Sequence, residues 1–226
     1  VNFIAFIGWN PGDEREIFSL EGLVKEFLLE KVQKGGAVFN QKRLDFLNGY
    51  YIRQKPLDEL VDLCLPYLVN KNLIVPANGL SKNFKAVETG ELIEKEKISA
   101  IISLYGERLK KPSEIADLAD FFFKDDLNYK KELLIWQEMK WSDVLVSLKN
   151  LEKVISGIGE QNWNINNLQN VLLLEAEKLP NRGYLLWPLR VALTGKESSA
   201  GPFEIAEVLG KEKTLRRIKK AQEKYE

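Results

Sequence analysis

The feature that most constrains this chain is the recurrence of apolar residues at the spacing of an amphipathic helix, in one short segment after another. Behind Ser19, for example, one stripe at three- and four-residue intervals holds Leu20, Leu23, Val24 and Phe27. Strand-like alternation is not sustained for long anywhere in the sequence. The pattern therefore predicts a fold that is mainly all-α.

Capping residues, glycines and prolines predict where these helices begin and end. We expect helix starts at Ser19, Asn40 and Ser113, and helix ends at Asn10-Pro11-Gly12, Gly35-Gly36 and Asn48-Gly49. Pro66 predicts a kink or break inside an apolar helix. We expect segment 70–86, punctuated by Pro76 and Gly79, to be irregular, and a long helix carrying Leu92 to Tyr105 to follow it.

Several kinds of chemistry are excluded by what the sequence lacks. The 226 residues include no histidine and one cysteine, so a zinc site and histidine-based catalysis are implausible. Cys64 stands between two leucines and fits a buried small hydrophobe better than a nucleophile. We find no glycine-rich phosphate loop and no nucleophile with its base. The sequence thus favours a helical binding module over a catalyst, with no catalytic and no metal-binding residues.

The basic residues gather toward the C-terminal part of the chain, although the total charge is balanced at 33 basic and 33 acidic residues. Residues 113–180 hold 7 basic and 12 acidic side chains, whereas residues 181–226 hold 10 and 6. Such asymmetry is a modest indication of a polyanionic partner. No apolar run approaches the ~20 residues that cross a bilayer, so we expect a cytoplasmic protein that does not enter the membrane.

The stretch from Trp187 to Phe203 is a candidate binding loop between two helices. The pattern predicts a short helix ending at Gly195, a small polar flexible loop, and a new helix that Pro202 opens. Exposed hydroxyls of Ser198 and Ser199, with the ring of Phe203, would suit unstacked nucleotide bases. An ordinary connection between helices fits the same composition, and both interpretations stay open.

Three further basic groups are ambiguous. Lys42, Arg43 and Arg53, interleaved with Tyr50 and Tyr51, would suit phosphate and sugar contacts along an RNA stem, but equally an ordinary surface beside a small core. The cluster of Arg108, Lys110 and Lys111 ends a helix and could simply oppose its dipole. The basic helix from Lys211 to Lys220 fits a solvated terminal helix better than a phosphate site.

Three stretches stand out by their order and spacing. The first is Asn2–Gly12 with Arg15–Glu21, the second is Ala37–Arg53, and the third comprises Leu189–Gly195, Gly201–Ile205 and Val208–Lys211. Together they closely resemble the C-terminal half of bacterial-type glutamyl-tRNA synthetase, the class I enzyme that charges tRNA with glutamate. The first is similar to the segment that follows that family's second ATP-binding signature, the second resembles its tRNA stem-contact segment, and the third resembles its anticodon-binding end.

The resemblance implies that a catalytic domain, with its ATP and magnesium sites, precedes Val1 in a parent glutamate–tRNA ligase. The chain would then bind glutamate tRNA, need no cofactor of its own and be inactive as a ligase by itself. The resemblance also implies a stem-contact segment at 1–55 and two helical anticodon-binding subdomains at 56–120 and 121–226. We expect a monomer. A helical protein-interaction module without RNA binding is the alternative.

The same resemblance implies roles for particular residues. An arginine at a helix end in the first anticodon-binding subdomain of that family contacts the third anticodon base, and Arg108 matches it. Its presence implies a synthetase that rejects glutamine tRNA. The other anticodon-loop contacts would be Arg190, Ser199, Ala200, Pro202 and Phe203, although other members often carry Thr-Pro where this chain has Ser199-Ala200. The tRNA stem would lie near Lys42, Arg43 and Arg53.

Overall fold

A computed structural model describes residues 1–33, 35–36, 38–77 and 83–224 of the chain. Helices dominate these residues, which confirms the mainly all-α prediction. The α-helices are α1 (Asn2–Gly8), α2 (Leu20–Glu26), α3 (Gln41–Arg53), α4 (Leu57–Asn70), α5 (Lys95–Ser103), α6 (Ile115–Leu118), α7 (Trp141–Ser156), α8 (Ile165–Ala176), α9 (Gly183–Thr194), α10 (Pro202–Leu209) and α11 (Lys211–Glu223). The short strands are β1 (Ile74–Pro76), β2 (Asn83–Ala86) and β3 (Leu92–Glu94).

Several helix ends lie where the capping residues predict them. The Ser19 hydroxyl accepts a hydrogen bond from the Gly22 amide at 3.0 Å and starts α2, although α2 ends at Glu26, well before Gly35. The Asn40 side chain accepts from the Arg43 amide at 3.1 Å and starts α3. Pro202 occupies the first turn of α10. These caps satisfy backbone donors that have no partner inside the helix.

Two further predicted boundaries are wrong, at Asn48-Gly49 and at Ser113, and α4 is not broken at Pro66. Helix α3 continues through Asn48-Gly49 to Arg53, and Leu47, Gly49 and Ile52 are buried along it. Helix α4 continues through Pro66, held by its buried apolar face. The first turn at Pro112 is capped by the Glu114 carboxylate instead of by Ser113.

A small antiparallel sheet replaces part of the region predicted as irregular or helical. Strand β2 pairs with β1 and with β3, in a register that sets Ile74 opposite Ala86 and Phe84 opposite Ile93. The expected long helix therefore begins only at Lys95, and Leu92 belongs to β3. Strands of three or four residues are too short to reveal an alternating pattern. Gly79, predicted to interrupt this region, lies outside the described residues, as does Ala37.

The described residues contain two hydrophobic clusters. The main cluster extends from Ile52 in α3 to Ala221 in α11 and includes the buried run Phe121–Phe123. Cys64 is fully buried in it, and this burial raises the pKa of the thiol to about 11, as expected for an inert cysteine. A second, small cluster joins Trp9, Phe18 and Leu23 near the N-terminal end. The predicted boundaries after residues 55 and 120 remain predictions.

Helix α11 differs from the solvated terminal helix that its charge predicts. Lys213 and Arg217, four residues apart on one face, are buried at 6% and 2% exposure. The Lys213 ammonium donates to the Phe122 carbonyl at 3.0 Å, and the Arg217 guanidinium donates to the carbonyls of Leu193, Phe121 and Lys124. Two of the cations therefore fasten α11 to the core instead of facing water.

Candidate nucleic-acid interface

Arg108 occupies the turn that follows α5. The Arg108 and Leu109 amides both donate to the Tyr105 carbonyl, at 2.8 and 3.0 Å, so the turn continues the helical path past Ser103. Tyr105 and Leu109 are fully buried and fix the inner side of this turn. Arg108 itself is exposed, and its Nη1 donates to the Ser199 carbonyl at 2.5 Å.

The segment between α9 and α10 is anchored at both ends. Gly195 ends α9 in the left-handed conformation (φ 67°), and the Lys196 amide donates to the Thr194 hydroxyl at 3.0 Å. The Lys196 ammonium lies 2.6 Å from Asp120 Oδ1 and also donates to the Asp117 carbonyl. With the Arg108 bond at its other end, the segment is tied to the turns around residues 108 and 120.

The expected exposure of this loop is therefore partly wrong. Ser199 is 6% exposed and Ala200 3% exposed, and the Ser199 hydroxyl donates to the Ala200 carbonyl at 2.9 Å. Pro202 is buried, and Phe203 is half-buried against the main cluster. Ser198, by contrast, is exposed. The loop is held in one position, because the Ser199 carbonyl is bonded to Arg108 and the Lys196 ammonium to Asp120.

Arg190 lies in the middle of α9, four residues before Thr194, whose hydroxyl donates to the Arg190 carbonyl at 2.7 Å. Its neighbours Leu189 and Val191 are fully buried, while Arg190 itself is half-exposed. The Nε atom is buried and has no hydrogen-bond partner among the described residues. Arg190 thus carries an unused donor close in sequence to the anchored loop.

Asp120 is the acidic centre of this region. Burial acts to raise the pKa of its carboxyl, but the ammonium groups of Lys124 and Lys196 outweigh that effect and hold the pKa below its ordinary value. Lys124 Nζ lies 2.6 Å from Oδ2, and Lys196 Nζ lies 2.6 Å from Oδ1. The carboxylate therefore remains ionised near neutral pH and keeps Lys196 in place.

Helix α3 carries the three residues predicted to contact a tRNA stem. Lys42 and Arg53 are exposed. Arg43 is instead occupied within the molecule, because its guanidinium lies 4.4 Å from the centroid of the Phe6 ring and 3.4 Å from a Glu16 oxygen. Arg43 therefore joins α3 to the N-terminal aromatic cluster, whereas the side chains of Lys42 and Arg53 face solvent.

Two sets of anchoring residues were not predicted from the sequence: Lys196 and Asp120, which hold the loop before α10, and Arg217, which fastens α11 to the core. The partners of Lys196 and Arg108 lie 76 to 91 residues away, so no local pattern shows these pairs. Arg217 did have a local signal. It stands four residues before Ala221 and beside Ile218, on the face that is buried in α11. No described group of three or more acidic, cysteine or histidine residues could hold a metal ion.

Fold and site together define a mainly helical module in which one exposed arginine, Arg108, lies on a turn that is bonded to the loop before α10. The family of anticodon binding domains matches residues 59–222, and the chain belongs to that family. No helix in the described residues has the length and apolar character needed to cross a membrane.

Several relatives are glutamate–tRNA ligases. The chain is 36% identical to that of Clostridium botulinum over 222 residues, covering 97% of this chain and 41% of the relative. It is 37% identical to that of Clostridium acetobutylicum, covering 43% of the relative. The crystal structure of the ligase from Elizabethkingia meningosepticum, in complex with its amino acid, superposes with a TM-score of 0.74 at 27% identity. That match covers 98% of this chain and 40% of the ligase. The chain thus spans about two fifths of these relatives' lengths.

Proposed function

We propose that this chain is the tRNA-recognition part of a glutamate–tRNA ligase, and that it binds glutamate tRNA and distinguishes its anticodon. The observation that carries the proposal is the hydrogen bond from Arg108 to the Ser199 carbonyl. It joins two stretches, 91 residues apart, that the family resemblance assigns independently to anticodon binding. A generic helical interaction module has no reason to bring these two stretches together.

Arg108 is the proposed selector of the third anticodon base. A guanidinium has five N–H donors in one plane, so the bond to Ser199 fixes that plane and leaves other donors for the edge of a base. Arginine contacts base edges through two parallel hydrogen bonds, and each such contact discriminates by about 1–3 kcal/mol. Preorganisation by the anchored loop reduces the entropy lost when the base binds.

The remaining anticodon contacts are proposed for the loop and its flanks. Arg190 supplies a half-exposed guanidinium, and Phe203 supplies a half-buried ring on which a base can stack. Ser199, Ala200 and Pro202 contribute the shape of the packed loop, since the Ser199 hydroxyl is already bonded internally. In this proposal Lys42 and Arg53 lie near the tRNA stem, together with any part of Arg43 that its internal contacts leave free.

The proposal assigns no step of glutamate activation to this chain. ATP, magnesium and the reacting groups would belong to the other part of a ligase whose relatives are more than twice as long. The chain would act in the cytoplasm as a monomer and contribute recognition alone.

The direct experiment is a fluorescence titration of the 226-residue chain with glutamate tRNA at several salt concentrations. We expect binding whose logarithmic affinity falls linearly with the logarithm of salt, because phosphate contacts release counterions. An unrelated tRNA of the same length, carrying a different anticodon, should bind more weakly. Equal affinity for the two tRNAs would contradict discrimination of the anticodon, and no binding at low salt would instead support a protein-interaction module.

A further inference from the structure

One face of α3 carries a row of residues whose chemistry has no part in the fold's main core. Lys42, Asp45, Gly49 and Arg53 follow one another at intervals of three and four residues, so they lie on the same side of the helix. Lys42 and Arg53 stand about 16 Å apart along the axis at 1.5 Å per residue. Neither has an ion-pair partner among the described residues.

The segment that follows Arg108 crosses the middle of this face. The Leu109 carbonyl would lie 3.5 Å from a Cβ at Gly49, and the Arg53 guanidinium folds back to within 3.0 Å of the same point. Two residues further, Lys111 Nζ lies 4.0 Å from Asp45 Oδ1. Lys111 therefore stands between Lys42 and Arg53, on a different element from both.

The position of Lys111 is fixed by its backbone and not by its ion pair. The Glu114 carboxylate accepts from the Lys110 amide at 2.8 Å and from the Lys111 amide at 3.3 Å. The pair with Asp45 is long and its lysine is 48% exposed, which is the kind of contact that contributes little to stability. Asp45 also accepts a hydrogen bond from the side-chain amide of Gln41 at 2.6 Å, so it keeps a partner when the Lys111 ammonium moves away.

We propose that Lys111 exchanges Asp45 for a phosphate of the tRNA backbone and, with Lys42 and Arg53, forms a row of three cations that follows one strand. The row would join the proposed stem contacts to Arg108, three residues before Lys111. Asp45 then acts as an intramolecular competitor that the phosphate displaces. This inference rests on the proposed tRNA binding and adds a phosphate-binding surface to it.

A phosphate-binding Lys111 and a purely structural ion pair predict different effects of K111M and D45N on RNA affinity. If the pair only stabilises the fold, K111M and D45N remove the same weak contact and leave RNA affinity unchanged. If Lys111 binds phosphate, K111M removes a cation from the row, whereas D45N removes the competing anion. The two substitutions should then change the affinity for RNA in opposite directions.

The test is the titration of the 226-residue chain with glutamate tRNA between 50 and 200 mM salt. We expect K111M to weaken binding about three- to fivefold and to lower the salt slope by about 0.7 to 0.9, the contribution of one phosphate. We expect D45N to tighten binding about two- to fivefold, as one like charge is removed near the strand. The control pair is Glu175, in α8, and Lys178, just after that helix, 2.5 Å apart, where K178M and E175Q should change neither value.

The outcomes separate this inference from the function beneath it. Suppose that the unchanged chain binds with a steep salt dependence and that K111M and D45N both keep its affinity and its salt slope. This result overturns the role of Lys111 but leaves the proposed function in place. If both variants bind RNA more weakly, the role of Lys111 is also overturned. The proposal predicts tighter binding by D45N, and only damage to the fold would weaken it. Absence of binding by the unchanged chain overturns the proposed function as well. A melting temperature within about 2 °C of that of the unchanged chain confirms that K111M and D45N leave the fold intact.

Discussion

The guanidinium of Arg108 and the carbonyl of Ser199 are joined by a hydrogen bond of 2.5 Å between turns that lie 91 residues apart. Lys196 makes a second connection nearby, from the same loop to Asp120 and Asp117. The loop before α10 and the turn after α5 therefore form one unit. Whatever changes the position of the loop is expected to change the orientation of Arg108.

This coupling predicts a difference between two lysines that share one carboxylate. K196M removes the anchor of the loop, and we expect it to reduce discrimination at the third anticodon base by about three- to tenfold through loss of preorganisation. K124M removes the other partner of Asp120 and leaves the loop in place. Both should lower the free energy of unfolding by about 1 kcal/mol.

Competition binding with two tRNAs that differ only at that base measures the discrimination, and urea unfolding measures the stability. Equal discrimination by K196M and K124M at matched stability would mean that the loop does not position Arg108.

The buried cation of α11 predicts a large effect on stability. R217M leaves the carbonyls of Leu193, Phe121 and Lys124 without their donor, and we expect a loss of about 3 kcal/mol or more. For a chain of this length such a loss lowers the melting temperature by about 6–12 °C. R216M alters the adjacent exposed arginine and should stay within about 2 °C. Calorimetry compares them, and similar melting temperatures would contradict a fastening role for Arg217.

The ionisation of Asp120 predicts a dependence of stability on pH. Its pKa in the folded state lies below the value of about 3.9 found in unfolded chains. The carboxylate therefore contributes stability that is fully present well above pH 4 and is lost as the pH falls through the folded pKa. We expect D120N to be less stable than the unchanged chain at pH 7, with the gap narrowing below pH 4. Urea unfolding at pH 7, 5 and 3.5 tests this, and a constant gap would contradict it.

Helix ends were predictable from the sequence where a side chain or a glycine acts on residues close to it in the chain. Ser19 and Asn40 cap α2 and α3 through bonds that span three residues, and Gly195 ends α9 because its φ of 67° suits glycine. Such signals require no knowledge of the rest of the fold. They fail where packing decides, as at Gly49, which is buried inside α3 between the buried Leu47 and Ile52.

The members of the candidate site stay predictions, and the arrangement that the structure gives them could not be predicted from the sequence. Arg108 and Ser199 were both expected to contact an anticodon, yet nothing local shows that one binds the other. The exposure of Ser199 was wrong for the same reason, since its burial depends on a turn contributed from far along the chain. Arg217 is charged, as most surface residues are. Only its position on the apolar face of α11 indicates that its side chain is buried.

The measurement that tests the account most directly is the effect of R108Q on anticodon preference. Two glutamate tRNAs, one of which carries the third anticodon base of glutamine tRNA, compete for binding to the unchanged chain, to R108Q and to R190Q. We expect the unchanged chain to prefer the glutamate anticodon by about 1–3 kcal/mol, and R108Q to lose most of that preference. R190Q should weaken the binding of both tRNAs about equally. A preference that persists in R108Q would contradict the assignment of Arg108 as the residue that selects the third base.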